Sequence, residues 1–552
     1  MTHILIRCDA SLLIGSGHVM RCRTLARELR RRGAAITFLC RRQLGDLISL
    51  LEQEFPVLAL PSQPLAASSG LEGRALYGAW LGCRQEQDAA HCLAALAEAG
   101  ITCASWVVVD HYGLDASWEA QLHAGLAGGA PPQLLVIDDL ADRLHQADLL
   151  LDQNFFGETT QQRYAGLVPA HCRQLLGPHY ALLGPEYAQL HPLVPLRREL
   201  RRVLVFFGGV DADNLSGRAV EALMDPDLIH LAVDVVLGPQ SQHRQAVAAL
   251  VARRPHTTLH DPLPSLAGLI ARADLAIGAG GATNWERACL ALPSLVVVAA
   301  ANQRPFVQAL DAAGHLELLG DAVSVTVHKI RAALLARIAE PLRAAAGSEL
   351  TDGWGASRLA TALLGPQGAI RLRPATAADE MLLLRWANAP EVRANSFTPQ
   401  PIPAAAHHRW FQRGLADPHR LLLIATDADG CPIGQIRFDR QSATPEAAVD
   451  DEARIDLSLD LAVRGHRLAA PLLRLGIAAM EQRWGPATTA VAEVLTSNTT
   501  SNACFARAGF ALVGVSEISP PLPQRVNRWC WQSAGSPCSV MPAAGSTPNC
   551  PP

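Results

Sequence analysis

A chain of 552 residues, at roughly 150 residues per domain, has material for about three or four globular domains and is too long for one small binding module. Hydrophobic residues make up 49% and charged residues 18%, enough apolar mass for several buried cores and too little charge for disorder as the main state. The 47 basic and 51 acidic side chains leave a net charge of −4, so no domain-scale positive field exists for nucleic acid or acidic lipid, and small-molecule work is expected. Lys329 is the sole lysine and lies in a polar stretch, which sets aside Schiff-base and pyridoxal chemistry. Thirteen cysteines, an odd number with no Cys-x-x-Cys pair and no zinc-type spacing, fit a reducing compartment and predict no metal centre. Arg7 and Asp9 interrupt what would be a signal core, and the apolar run 290–301 contains Pro293 and is too short to span a bilayer. The prediction is a cytoplasmic protein with no membrane insertion; its oligomeric state is left open.

From residue 3 to about 301, short β-branched or apolar runs alternate with Ala/Leu/Arg-rich stretches of helical length, the pattern of parallel sheets with crossover helices. Strands are predicted at 4–7, 36–39, 106–109, 134–137, 203–207, 233–237, 275–277 and 295–298, giving two Rossmann-like halves, 1–190 and 191–365, joined through a Pro- and Arg-rich crossover over 177–201. The texture changes after Gly365. A third α/β domain is predicted over 366–532, with strands at 370–374, 421–425, 432–438 and 455–461 and helices over 382–388 and 468–483. Residues 533–552 are Ser, Gly, Pro and Ala without periodicity and read as a disordered tail.

The first strand is followed by Asp9-Ala10-Ser11 and then Ile14-Gly15-Ser16-Gly17-His18-Val19-Met20-Arg21 at the start of a helix. The glycines permit a tight strand-to-helix turn and let backbone amides face an anion. His18 falls in the first helical turn, where the macrodipole disfavours imidazolium, so it is a candidate general base; a capping or half-buried histidine without chemistry fits the position equally. Asp9 either binds substrate, orients His18 or satisfies loop amides. Asp110-His111-Tyr112 and Asp138-Asp139 end two further strands, where open α/β folds place their ligands, although loop capping explains such carboxylates as well.

Two glycine-rich turns follow strands in the second half: Phe207-Gly208-Gly209-Val210-Asp211, and Gly278-Ala279-Gly280-Gly281-Ala282-Thr283-Asn284-Trp285-Glu286. Close backbone approach suits a pyrophosphate, with Thr283 as a hydroxyl donor and Glu286 as an acceptor for a ribose diol; an ordinary βα loop is the alternative for either turn alone. Asn302-Gln303 would face the same crevice and offer amides to a sugar.

These motifs, with Asp110-His111-Tyr112-Gly113-Leu114-Asp115, Trp285-Glu286-Arg287 and Asp352-Gly353-Trp354-Gly355-Ala356, closely resemble the UDP-2,4-diacetamido-2,4,6-trideoxy-β-L-altropyranose hydrolases of pseudaminic acid biosynthesis over roughly residues 1–362. The resemblance implies a GT-B-like pair of Rossmann-like domains, with UDP held mainly by the second, and hydrolysis without metal or cofactor. It makes His18 the catalytic base or water-orienting group. Substrate contacts are expected from Asp9, Gly17, Arg21, Asp110, Tyr112, Gly209, Asp211, Gly280, Gly281, Thr283, Glu286 and Asn302. Val210 and Asn284 depart from the smaller hydroxyl residues expected there.

Residues 370 to about 532 resemble the GNAT acetyltransferase superfamily, through Leu372-Arg373-Pro374-Ala375, Trp410-Phe411, Arg464-Gly465-His466-Arg467-Leu468-Ala469, and Asn498 to Phe505 with Gly509-Phe510. The resemblance implies acetyl-CoA as cosubstrate, bound by Arg464, Gly465, Arg467, Ala469, Asn498 and Phe505. Arg467 replaces the first glycine of the pyrophosphate turn. The residue-level alternative is that Asn498 caps its helix and Phe505 and Phe510 are core, in a domain without catalysis. His407, His408 and Glu493 are candidates for the acetyl-transfer base.

The expected function is bifunctional: N-acetylation of a UDP-4-amino-sugar, then water attack on the acetylated UDP-sugar. A UDP-sugar glycosyltransferase, or a nucleotide-sugar-binding scaffold with an inactive GNAT domain, is the alternative.

Overall fold

The computed structural model describes residues 2–62, 71–126, 131–238, 240–339, 347–441, 451–518 and 524–531; the tail predicted at 533–552 lies outside them. The chain divides into two compact units, Met1–Leu364 and Gly365–Pro552.

The first unit holds two parallel sheets. One comprises β1 (His3–Cys8), β2 (Ala35–Arg41), β3 (Val57–Leu60), β4 (Trp106–Asp110), β5 (Gln133–Ile137), β6 (Leu149–Asp152) and β7 (Arg173–Leu176), in the order β3-β2-β1-β4-β5-β6-β7. The other comprises β8 (Arg202–Phe206), β9 (Ala232–Val236), β10 (Thr257–His260), β11 (Leu275–Ala279), β12 (Ser294–Val298) and β13 (Glu317–Asp321), in the order β10-β9-β8-β11-β12-β13. Strands such as β4 and β11 are buried along their whole length, because crossover helices cover both faces of a parallel sheet. That is why they read as continuous apolar runs.

Register decides where chemistry gathers. Cys8 of β1 lies beside Asp110 of β4, so the loop carrying residues 9–16 emerges next to the Asp110 strand end. Gly278 of β11 lies beside Phe206 of β8, which brings the two glycine-rich turns of the second sheet together. The helix Gly355–Leu364 returns to the first lobe: Arg32, just beyond the helix Gly17–Arg31, donates to Thr361 Oγ1 at 2.8 Å and to the Ser357 carbonyl at 3.0 Å, and Arg173 donates to the Ala362 carbonyl at 3.1 Å. The two lobes are therefore tied at their back as well as by the crossover.

The second unit is built on one mixed sheet of β14 (Arg371–Pro374), β15 (Arg420–Thr426), β16 (Pro432–Gln441), β17 (Glu452–Leu459), β18 (Thr489–Leu495), β19 (Ala511–Ile518) and β20 (Gln524–Trp531), ordered β14-β15-β16-β17-β18-β20-β19. All neighbours are antiparallel except β17 and β18, which pair in parallel only over Glu452–Arg454 and Thr489–Val491 and then diverge. The helix Ala469–Trp484 packs Leu472, Leu473, Ile477 and Met480 into the core of this sheet. The α/β class and the two parallel sheets of the first unit are as the sequence predicts.

Candidate functional site

The loop after β1 folds on itself. Ser11 Oγ accepts from the Leu13 and Ile14 amides, the Gly15 amide returns to the Ser11 carbonyl, and Gly15 takes φ +79°, a conformation that favours glycine. The chain then enters the helix Gly17–Arg31 with His18 in its first turn, 6% exposed. His18 Nδ1 lies 2.5 Å from Asp110 Oδ1. The carboxyl of Asp110 is fully buried, which alone would raise its pKa; Arg21 and His18 beside it outweigh burial and hold it well below the usual carboxylate range. An ionised carboxylate can only accept, so Nδ1 carries the proton of this pair, and the tautomer that Asp110 selects for the neutral ring has its lone pair on Nε2. Nε2 has no hydrogen-bond partner among the described residues.

The support continues outward. Arg21 donates to Asp110 through Nε and Nη2, both at 2.6 Å, and to Asp139 through Nη1 at 2.7 Å. Tyr112 donates its hydroxyl to Asp139 at 2.5 Å and sets its ring edge-on to His18, centroids 4.5 Å apart. Asn154 Nδ2 reaches the other Asp139 oxygen at 3.0 Å. Burial and the Asp139 carboxylate push the Tyr112 phenol well above its ordinary pKa, so it stays a donor.

The second lobe meets this network directly. Asn302 Nδ2 donates to the Tyr112 hydroxyl at 3.3 Å, Gln240 Nε2 donates to the Gly45 carbonyl at 2.5 Å, and a Cβ placed on Gly209 would stand 2.7 Å from Ser16 Oγ. A side chain at Gly209 would have to displace the Ser16 hydroxyl. A Cβ on Gly280 would stand 2.6 Å from Val307 Cγ2, whereas Gly281 and Gly17 have room. Thr283 Oγ1 accepts from Arg287 at 3.2 Å. Glu286 Oε2 is buried without a partner among the described residues, and burial raises its pKa to about 7.

Four of the residues expected to contact substrate are engaged within the protein. Asp9 is wholly buried and saturated: it accepts from Arg7 at 2.6 and 2.8 Å and from the Arg41 amide at 2.7 Å, so it neither orients His18 nor reaches the cleft. Asp110 and Arg21 are occupied by His18, Asp139 and each other. Asp211, at φ +48°, accepts from the Leu215 and Ser216 amides at the start of the helix Leu215–Ala222, whose N-cap is Asn214. His111, beside Asp9, is pushed down to about 4 by burial and is a neutral interior ring. Asp139, already marked by its place at a strand end, and Asn154, which carries no local sequence signal, complete the His18 support: Asp139 lies 118 residues from Arg21, and Asn154 a further 15 residues on.

In the second unit the turn 464–468 leaves β17 where β17 and β18 diverge, and leads into the helix Ala469–Trp484. Gly465 has φ +86° and Arg467 φ +59°, so the arginine occupies a backbone conformation that favours glycine. Arg464 braces the turn, donating to the Leu459 carbonyl at 3.3 Å. Asn498 Oδ1 caps the helix Thr499–Ala508 through the Ser501 amide, and Phe505, 6% exposed, packs edge-on against Phe510 in the core, as the residue-level alternative expects. Of the candidate bases, His407 is buried against Phe411, His408 pairs with Glu380, and Glu493 pairs with Arg454 at 2.8 Å.

No group of three or more metal-ligating side chains and no helix long and apolar enough to cross a membrane occurs among the described residues, and none of their eleven cysteines is in a disulfide.

Residues 369–511 match the family of the acetyltransferase (GNAT) domain. The N-terminal part is similar to the spore coat polysaccharide biosynthesis protein SpsG of Bacillus subtilis, 29% identical over 131 residues, which is 24% of this chain but 39% of that protein. It is also similar to a UDP-2,4-diacetamido-2,4,6-trideoxy-beta-L-altropyranose hydrolase of Campylobacter jejuni, 26% identical over 231 residues, 42% of this chain and 68% of that one. A solved structure of MurG from Acinetobacter baumannii aligns at 15% identity and a TM-score of 0.38, covering 61% of this chain and 90% of that one. The chain therefore joins a unit homologous to sugar-biosynthesis proteins to a GNAT domain.

Proposed function

We propose that residues 1–190 and 191–365 form the two lobes of a UDP-sugar hydrolase and that residues 366–532 form its partner N-acetyltransferase. The substrate of the first is UDP-2,4-diacetamido-2,4,6-trideoxy-β-L-altropyranose. The observation that carries the reading is the fixed tautomer of His18 in the interlobe crevice: Asp110 holds Nδ1 and leaves Nε2 as a base. Water attacks the anomeric carbon, its proton passes to His18 Nε2, and the bond from that carbon to the diphosphate oxygen breaks with its electron pair leaving on UDP. Diphosphate is a good leaving group, so a base and a grip on the anion suffice without a metal. Gly280, Gly281 and Thr283 are the proposed diphosphate contacts, Glu286 holds the ribose diol, and Asn302 with Tyr112 faces the sugar.

For the second unit, the diverging strands β17 and β18 and the turn 464–468 fit an extended cosubstrate with a pyrophosphate. Acetyl-CoA bound there supplies the acetyl group for the 4-amino group of a UDP-6-deoxy-amino-sugar, which makes the substrate of the hydrolase. Gly465, Arg467 and the amide of Ala469 are the residues that would hold the pyrophosphate. The test is product mass spectrometry on a panel of UDP-amino-sugars with and without acetyl-CoA and with no sugar acceptor. Acetylation followed by free sugar and UDP is expected; release only when an acceptor is added would make the first unit a glycosyltransferase.

A further inference from the structure

Arg287 lies directly beneath the turn that the proposed function assigns to the diphosphate, and the inference rests on that reading. The residue is 4% exposed. Nη2 donates to the Ala279 carbonyl at 3.0 Å and to Asn284 Oδ1, Nη1 donates to Thr283 Oγ1 at 3.2 Å, and Nε has no partner among the described residues. No carboxylate lies within ion-pair distance among the described residues. Buried guanidinium groups elsewhere in this unit are differently provided for. Arg7, Arg21, Arg41 and Arg143 each pair with carboxylates, whereas Arg197 and Arg254 use Nε and both terminal nitrogens on backbone carbonyls. Arg41 also leaves Nε unmatched, but Asp88 balances its charge. Arg287 alone of this set combines an unmatched donor with the lack of a carboxylate.

Gly278 admits this group, since a Cβ there would come within 2.6 Å of Arg287 Nη1. Asn284, unexpected in sequence where a small hydroxyl residue fits the resemblance, supplies one of the neutral acceptors that hold the guanidinium. The neighbouring Glu286 does little to neutralise it: burial raises that carboxyl to about 7, so near neutrality about half of it is protonated. Burial also lowers Arg287 to about 10, which leaves it charged at neutral pH.

An uncompensated buried cation is unfavourable, and the penalty is relieved when an anion arrives on the open side of the turn. We propose that Arg287 is the buried positive pole of the diphosphate site, retaining the nucleoside diphosphate by its charge through the 279–283 backbone rather than by direct contact. It is a positioning residue. The ligand class is a nucleoside diphosphate, and the expected preference rises from nucleoside to monophosphate to diphosphate.

Calorimetric titration of the full chain with UDP, UMP and uridine tests this. Arg287→Gln removes the charge and keeps amide donors; Arg287→Lys keeps the charge. Arg287→Gln should weaken UDP about tenfold, UMP less, and leave uridine within about twofold, with Arg287→Lys close to wild type. Added salt should weaken UDP less in Arg287→Gln than in wild type. If Arg287→Gln does not fold, Asn284→Asp, which sets a carboxylate against the guanidinium and balances its charge, should give the same selective loss. Equal weakening of uridine and UDP, or Arg287→Lys as damaging as Arg287→Gln, would overturn the proposal and make the arginine a brace of the turn. A wild-type protein with no preference for UDP over uridine would overturn the nucleotide reading itself, and this inference with it.

Discussion

Replacing Asp110 by Asn changes one atom and removes the acceptor pattern on which His18 depends. The carboxylate has no exposure and takes His18 Nδ1 at 2.5 Å, two Arg21 nitrogens at 2.6 Å and the Cys22 thiol at 3.4 Å. An amide can keep His18 and Arg21 Nη2 on its oxygen, but its NH₂ then faces Arg21 Nε, donor against donor. Turned the other way, it presents the NH₂ to His18 and forces the proton from Nδ1 to Nε2. Breaking such a buried pair costs about 3–5 kcal/mol of stability, and a base held in the wrong tautomer loses about 10³–10⁴ in rate. Initial rates of UDP release and UDP affinity should therefore separate, with the rate falling by roughly that factor and UDP binding within about twofold. Because Asp110 acts through His18, the double variant His18→Ala with Asp110→Asn should be no slower than His18→Ala. The acid side carries a further mark. A carboxyl lowered on folding stabilises the protein above its unfolded pKa, about 3.9, and that contribution fades as pH falls toward its folded value, so Asp110→Asn should flatten the acid limb of the stability profile. A rate loss below about threefold, or a double variant far slower than His18→Ala, would refute the reasoning.

Tyr112→Phe keeps the ring against His18 and removes the hydroxyl shared by Asp139 and Asn302; UDP release should slow about tenfold with unchanged circular dichroism, and an unchanged rate would count against the interlobe link. Uridine affinity should rise between about pH 6 and pH 8 as Glu286, held near 7 by burial, ionises and accepts from the ribose diol, and Glu286→Gln should make the titration flat; a pH-independent wild type would remove the ribose role. Arg467→Gly relieves a left-handed backbone at φ +59° and should stabilise the second unit by about 0.5–1 kcal/mol in a calorimetric scan. If acetyl-CoA binding weakens in that variant, the guanidinium contributes to the anion site; if it tightens, the backbone conformation was limiting.

Strongly apolar, β-branched segments are readable from sequence, and all eight strands predicted in the first unit exist within two residues of their ends. Short or polar strands escape: β10 is Thr-Thr-Leu-His, β7 begins Arg-Gln, and β13 contains Gly320 and a register shift, so none shows the apolar run of a central strand. Motif reading finds His18 and both glycine turns because those features are contiguous. It does not separate groups facing the cleft from groups facing each other, since that depends on pairs such as Arg21 with Asp139 and Arg7 with Asp88, brought together by strand order. Asp9 and Asp110 illustrate the limit: they stand at the ends of adjacent central strands, yet one closes a buried ion cluster and the other holds the histidine. In the second unit the motif Asn498 to Phe505 identifies the element but not its use, because capping and core packing select the same residue types as ligand contact.

The most direct test is turnover of UDP-2,4-diacetamido-2,4,6-trideoxy-β-L-altropyranose in ¹⁸O-water without acceptor, reading the mass of the released UDP. Attack at the anomeric carbon by a His18-activated water predicts unlabelled UDP and loss of its release in His18→Ala. Label in the UDP phosphate, or undiminished release by His18→Ala, would contradict the account.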